Sequence, residues 1–273
     1  MKNDCQRNKN LEWIPDILKI VEAVGIAIVD IQQRNAYRIE SKLDNSPVTE
    51  ADLLAHEWIE KGLRALDPTI PILSEEGKPV PKNIRLSWSK YWLVDPLDGT
   101  RAFIQGSDEF TVNIALIENH VPVLGVIGVP RRGELYWAAQ GEGAYCQQAG
   151  ELQRLITSKS DYQPKRILAS QFLPTQADSG WSALLARLIP YEFRYCSSSL
   201  KICLVAKGEA ELYPRMGKTY EWDLAAGHCI LEEAGGQMVD LTGKVLRYNL
   251  GATLENAGFY AVAGSDLISI CCG

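Results

Sequence analysis

Two carboxylates three residues apart, Asp95 and Asp98, stand where the apolar run Tyr91-Trp92-Leu93-Val94 gives way to Asp95-Pro96-Leu97-Asp98-Gly99-Thr100. Pro96 disfavours helix at Asp95, so a strand is expected to end there and turn through Leu97. Such a turn can bring both carboxylates and the Leu97 carbonyl to one point, and hard oxygen ligands of this kind suit Mg²⁺. Gly99 permits close backbone approach. A helix opening near Thr100 would aim unsatisfied N–H groups at whatever a cation held there, a phosphate above all. The same residues also make an ordinary strand-ending turn, since Asp, Pro and Gly are each favoured in turns for local reasons.

Three further acidic positions have the same double reading. Ser74-Glu75-Glu76-Gly77 ends an apolar run, and its Glu75 reaches the Asp95 end of a sheet if the two strands run parallel. Trp222-Asp223 opens an apolar, small-residue segment, where an acid is first of all a helix N-terminal residue. Asp52 follows Pro47-Val48-Thr49 and has the same local explanation.

The elements that must position these groups follow from periodicity. Leu11 to about Gln33 repeats apolar residues at helical spacing, and Thr49 to Leu66 does so again, with Ala51, Leu54, Ala55, Trp58, Ile59 and Leu63 on one side. Pro71–Leu73, Tyr91–Val94, Phe110–Ile117, Val121–Val129 and Glu134–Ala139 read as strands, the third and fourth forming a hairpin through Glu118-Asn119-His120. Tyr145 to Arg166 is polar and without sustained period, which places a boundary near residue 150 between halves 1–150 and 151–273. Beyond it, Ile167–Ser170 and Tyr191–Tyr195 alternate, helices are expected near Trp181–Leu188, at Ser199–Ala206 and at Asp223–Ala234, and Ala210–Tyr213 reads as extended.

The 273 residues, 46% hydrophobic, are enough for a full core, and 28 basic against 34 acidic residues leave a net charge of -6. That balance, with no Lys/Arg run, argues against a nucleic-acid partner, whereas a cation held by carboxylates still admits a small anionic substrate. Seven scattered cysteines without a paired spacing suggest neither zinc nor a disulfide framework and fit a reducing, cytoplasmic compartment. His56, His120 and His228 share no metal-ligand spacing. No signal peptide or membrane span is written at the N-terminus, so the chain is expected to be cytoplasmic, at most peripheral on the inner membrane's cytoplasmic face.

Taken together, the order Asp52, Ser74-Glu75-Glu76, Asp95-Pro96-Leu97-Asp98-Gly99-Thr100 and Trp222-Asp223 resembles the lithium-sensitive, inositol monophosphatase-like superfamily of magnesium phosphatases. Within it the chain is most similar to the bacterial 3'(2'),5'-bisphosphate nucleotidase branch. Ser41 to Thr49, Glu109 to Leu116, Ser197-Ser198-Ser199-Leu200-Lys201 and Glu221 to His228 carry that similarity over most of the chain. The resemblance implies a layered αβαβα sandwich, with two or three Mg²⁺ ions held by Glu75, Asp95, Asp98, Asp223 and the Leu97 carbonyl. It implies that Asp52 and Thr100 orient the attacking water, and that Gly99 and Thr100 supply amides to the phosphate. Glu75, Leu97, Asp98, Gly99, Thr100, Ser198, Lys201, Arg215 and Asp223 would contact the substrate, and Lys218 is either a further cation for it or plain surface charge.

The activity implied is hydrolysis of adenosine 3',5'-bisphosphate to AMP and phosphate, in sulfur and nucleotide metabolism, with 3'-phosphoadenylyl sulfate as a possible second substrate and inhibition by Li⁺. Departures from the family pattern at Ala102 and Gly106-Ser107-Asp108 touch no ligand position. No nucleic acid or stable protein partner is implied, and the chain is expected as monomer or homodimer. Inositol monophosphatase activity, and a non-catalytic module that binds a phosphorylated ligand, are the alternatives.

Overall fold

The structure, a computed structural model, describes residues 9–34, 37–41, 47–158, 161–170 and 179–272. The stretch Lys42 to Ser46 of the Ser41–Thr49 motif, and Cys5, lie outside the described residues. The chain begins with α1 (Lys9–Arg34), the antiparallel pair β1 (Ile39–Ser41) and β2 (Pro47–Thr49), and α2 (Glu50–Leu66). A seven-stranded sheet follows in sequence order: β3 (Ile72–Ser74), β4 (Lys90–Asp98), β5 (Thr111–Glu118), β6 (Val121–Val129), β7 (Glu134–Ala139), β8 (Ala144–Gln148) and β9 (Glu151–Arg154). Short helices α3 (Lys82–Arg85) and α4 (Thr100–Ile104) sit in its connections.

The rest of the chain supplies β10 (Lys165–Ala169), α5 (Ser179–Arg187), β11 (Tyr191–Tyr195), α6 (Leu200–Ala206), β12 (Leu212–Arg215), β13 (Thr219–Tyr220) and α7 (Glu221–Glu233). It ends with β14 (Gln237–Asp240), β15 (Glu255–Asn256), β16 (Phe259–Val262) and α8 (Asp266–Cys272). A five-stranded mixed sheet has the order β11-β10-β12-β16-β14, and β13 pairs with β15 as a separate ribbon.

Strand β4 explains the layering. Its residues point alternately to opposite faces. Trp92 and Val94 join one core with Ile17, Val21 and Ile28 of α1 and Ile59 and Leu63 of α2. Tyr91 and Leu93 join the other core, with Ala226 and Ile230 of α7 and with Leu212 and Val262 of the second sheet. Both faces are covered, so the strand reads as an uninterrupted apolar run. Helices α6 and α7 thus lie between the two sheets, while α5 and α8 pack together beyond the second, and the architecture is the expected αβαβα sandwich. The closeness of the central layer depends on Gly125 of β6, where a Cβ would stand 2.3 Å from the Ala226 carbonyl oxygen of α7.

Four expectations need correction. Strand β4 does not end at Asp95 but runs to Asp98, because Pro96 falls where the pairing with β5 shifts register between Asp95 and Asp98, and no ladder N–H is needed there. The polar stretch after Tyr145 contains the rest of β8 and all of β9, an edge strand exposed along its whole length, whose pairing with β8 leaves no hydrophobic signal. Trp58, expected on the buried side of α2, is 47% exposed, and the helix buries Ala51, Ala55, Ile59 and Leu63 instead. The second sheet is completed after Gly236 by β14 and β16, antiparallel neighbours that short-range periodicity did not disclose.

Candidate active site

The parallel pairing of β3 with β4, in register Ser74↔Val94, brings Glu75 and Asp95 out at the same sheet end. The Glu75 N–H continues the ladder to the Val94 carbonyl at 3.1 Å. Helix α7 begins opposite this end and contributes Asp223. One carboxylate oxygen from each of Glu75, Asp95 and Asp223 lies within 4.8 Å of the others. Every predicted site residue except Asp52 lines the same pocket of about 340 Å³, within the usual size range for small-molecule sites.

Asp52 lies behind that wall, 1% exposed, and receives the Thr100 hydroxyl at 3.1 Å on Oδ1. Its Oδ2 accepts from the Thr49 N–H (2.8 Å) and the Thr49 hydroxyl (2.6 Å), closing a capping box at the start of α2. Asp223 occupies the same third position of α7 and accepts the Tyr220 N–H on Oδ2 at 2.9 Å. The reading of these acids as helix-start residues holds, and it uses one oxygen of each, which leaves the other for the site. Asp95 Oδ1 accepts from the Leu97 N–H at 3.0 Å, and Asp98 Oδ2 from the Ser199 N–H at 2.5 Å. Each aspartate is thus oriented by a backbone donor, with one oxygen turned to that task.

The electrostatics define what the pocket can hold. Burial pushes the Asp95 carboxyl well above the usual range, and the charges of Glu75, Asp98 and Asp223 push it the same way. Burial likewise raises Asp223 strongly, with Asp98 adding to it and the Tyr220 N–H opposing. Asp98 is raised by burial against the pull of Lys201 and the Ser199 N–H. So many buried acids are stable in ionised form only beside a positive charge. The donor set contains oxygen alone, without histidine or cysteine, and fits a hard divalent cation. These residues can therefore hold a metal ion.

The same pocket also carries cations. Lys201 is buried and its ammonium is lowered by that burial; it donates to the Cys196 and Ser198 carbonyls at 3.2 and 2.8 Å and lies 5.0 Å over the Tyr213 ring. Arg215 is half-buried in the same pocket. Lys218 lines the mouth, exposed and paired with Glu255 Oε2 at 2.9 Å, so its surface reading stands. Gly99 takes φ +93°, and a Cβ there would also meet Ser198 Cβ at 3.3 Å and the Glu109 carbonyl at 3.4 Å, so the position calls for glycine on both counts.

Among the groups given no role, His56, His120 and His228 bond Ser74 Oγ (2.9 Å), the Tyr248 carbonyl (2.8 Å) and the Tyr248 hydroxyl (2.9 Å) respectively. Five of the six described cysteines are buried and none is in a disulfide, while Cys272 is exposed. No described helix is long and apolar enough to cross a membrane. Sequence reasoning missed Arg101, which lines the pocket from α4, and Ser199 and Glu109, which bond across from one half to the other. Ser199 and Glu109 stood inside quoted motifs, but nothing local marks a contact between residues about a hundred positions apart.

Known proteins agree with this geometry. The chain is 45% identical over 247 residues to the 3'(2'),5'-bisphosphate nucleotidase CysQ of Salmonella typhimurium, a match covering 90% of this chain and 98% of that one. The Shigella flexneri protein of the same name is 42% identical over the same shares. The crystal structure of CysQ from Bacteroides thetaiotaomicron superposes with a TM-score of 0.80 at 35% identity, covering 95% of this chain and 98% of that chain. The model of the inositol monophosphatase family matches residues 17–268, a span that contains every carboxylate of the pocket. The chain belongs to the inositol monophosphatase family.

Proposed function

We propose that this protein hydrolyses the 3'-phosphate of adenosine 3',5'-bisphosphate to give AMP and phosphate, with Mg²⁺ as cofactor, Li⁺ as inhibitor and 3'-phosphoadenylyl sulfate as a second substrate. The observation that carries the reading is one pocket lined both by acids, with Glu75, Asp95 and Asp223 oxygens within 4.8 Å of one another, and by the cations Lys201 and Arg215. A substrate with two phosphates suits both sets, one phosphate through cations held by the acids and the other through side-chain donors. The names of the Salmonella and Shigella relatives support the same substrate.

Glu75, Asp95, Asp98, Asp223 and the Leu97 carbonyl would hold the metal. When bound, Mg²⁺ supplies Lewis acidity toward phosphoryl oxygens and water. Thr100 and Asp52 act on the water. The Thr100 hydroxyl donates its proton to Asp52 Oδ1, so its oxygen lone pairs remain to accept from water and Asp52 stands behind it as the proton's destination. The new P–O bond forms to that water oxygen as the bond to the 3'-oxygen breaks, and the 3'-oxygen takes up a proton from solvent as the water gives one up toward Asp52, with no covalent enzyme intermediate. Gly99 and Thr100, at the start of α4, present N–H groups toward the phosphoryl oxygens. Two halves meeting near residue 150, the first sheet running on to Arg154, clasp the substrate, and the six described free cysteines suit a reducing cytoplasm.

Lys201 tests the nucleotide part of this reading. Two of its three N–H donors go to carbonyls, leaving the third for the second phosphate. Lys201→Ala should raise KM for adenosine 3',5'-bisphosphate by about tenfold, the worth of one charge-assisted bond, and change KM for 3'-AMP much less. Equal losses on the two substrates, measured by phosphate release, would remove Lys201 from substrate recognition.

A further inference from the structure

The turn Ser197-Ser198-Ser199 belongs to the second half by sequence but is bonded at both ends to the first. Ser197 N–H donates to Glu109 Oε2 at 2.9 Å, and Glu109 Oε1 accepts from Arg132 Nη2 at 3.0 Å. Arg132 is held in turn by Asp108 at 2.9 Å. At the other end Ser199 N–H donates to Asp98 Oδ2, while the Ser199 hydroxyl lies 2.8 Å from Asn113 Oδ1 and 2.7 Å from Thr111 Oγ1. Between these anchors Ser198 takes φ +55°, a left-handed conformation that a serine keeps only where its surroundings over-determine it. The Ser198 carbonyl then receives Lys201 Nζ at 2.8 Å.

The turn therefore touches Asp98 among the pocket's acids and Lys201 among its cations. Asp98 ends β4 of the first sheet and Lys201 stands on α6, so these bonds join the two directly, in addition to the packing of the central layer. The Ser199 N–H on Asp98 Oδ2 fixes the plane of that carboxylate and leaves its other oxygen for a ligand.

We infer that Ser199 and Glu109 are positioning residues of one strap, which orients Asp98 toward the bound cation and at the same time sets the Ser198 carbonyl that aims Lys201 at the substrate. This rests on the reading of the acidic cluster as a metal site. The strap acts on metal and substrate from outside the contacting shell, through Asp98 and Lys201.

The test is calorimetric titration of the substrate-free full chain with MgCl₂, for the wild type, Ser199→Ala, Glu109→Ala, Glu109→Gln and the double Ser199→Ala/Glu109→Ala variant. Melting midpoints in EDTA, and KM and kcat on adenosine 3',5'-bisphosphate at saturating Mg²⁺, complete it. Each alanine variant should weaken Mg²⁺ binding about tenfold, the size of effect typical of groups that orient metal ligands, and raise KM even when Mg²⁺ saturates. The double variant should lose no more than the larger single loss, because both residues belong to one strap. Glu109→Gln, which keeps an acceptor for the Ser197 N–H, should recover most of the affinity, and with Ser199→Ala it decides the matter if Glu109→Ala does not fold.

Unchanged Mg²⁺ affinity in folded variants, even with lowered melting midpoints, would overturn the strap and leave the metal site standing. Additive losses would overturn the single strap as well. A wild type that binds no Mg²⁺ would overturn the metal site itself, and the strap with it.

Discussion

Asp95→Asn is expected to abolish turnover while leaving the fold intact. Asparagine has nearly the shape of aspartate and keeps an acceptor for the Leu97 N–H, the one local bond Asp95 makes to the backbone. What it removes is a negative charge at the centre of the Glu75, Asp95 and Asp223 cluster. A bound cation contributes several kcal/mol to a phosphoryl transition state, so losing a central ligand should lower kcat/KM by on the order of 10³ or more.

The stability of the metal-free protein should move the other way or not at all. Burial and three neighbouring acids push Asp95 well above the usual carboxylate range, so its ionised form costs stability whenever no cation is present. A neutral amide does not carry that cost. An inactive variant whose melting midpoint in EDTA equals or exceeds that of the wild type is therefore the specific expectation. Activity within tenfold of the wild type, or loss of activity together with a collapsed midpoint, would contradict it.

Asp52→Asn should also be nearly inactive, for a different reason. Asp52 is not among the acids grouped around the pocket's cation site; it meets the site through the Thr100 hydroxyl. Mg²⁺ affinity and KM should hold, and kcat should fall by on the order of 10² to 10⁴, the range for a positioned acid–base group. Thr100→Val, which keeps the side-chain shape and removes the hydroxyl, should lose a similar factor, and the double variant should lose little more because the two act as one relay.

The cap allows a control. Thr49→Ala removes the hydroxyl that bonds Asp52 Oδ2 and accepts from the Ala51 N–H, which should cost about 1 kcal/mol of stability. It leaves the Thr49 N–H on Asp52 and should retain most of kcat. Comparable loss of kcat in Thr49→Ala and Asp52→Asn would show that helix capping, not water orientation, is what Asp52 does.

The chemistry was legible in the sequence where residues near in the chain are also near in space. Asp95, Leu97, Asp98, Gly99 and Thr100 are neighbours in the chain, and two apolar runs that each finish in acids put Glu75 at the same sheet end once β3 and β4 pair parallel, as they do. Asp52 and Asp223 were ambiguous for a physical reason: each occupies the third position of a helix, where capping alone explains an acid, and one oxygen of each does cap. Only their common order with the other acids separated the two roles.

What the sequence concealed depends on distant contacts or on weak local signals. Pro96 favours ending a strand, yet a register shift lets β4 run through it to Asp98. Strand β9 pairs at a sheet edge without burying a residue, so no alternation marks it. Trp58 is large and apolar but stands on the outer side of α2, while Ala51, Ala55, Ile59 and Leu63 form its buried side. The bond from Ser199 to Asp98 joins residues 101 positions apart and appears only when both halves are folded.

The central claim is that this pocket uses a magnesium site to cleave a nucleotide bisphosphate. Its most direct test is phosphate release from adenosine 3',5'-bisphosphate and from inositol 1-phosphate side by side, with Mg²⁺, with EDTA, and with Li⁺ added to Mg²⁺. Faster release from the nucleotide, no release in EDTA and inhibition by Li⁺ are expected. Faster release from the inositol ester would contradict the substrate, and release undiminished by EDTA would contradict the metal site.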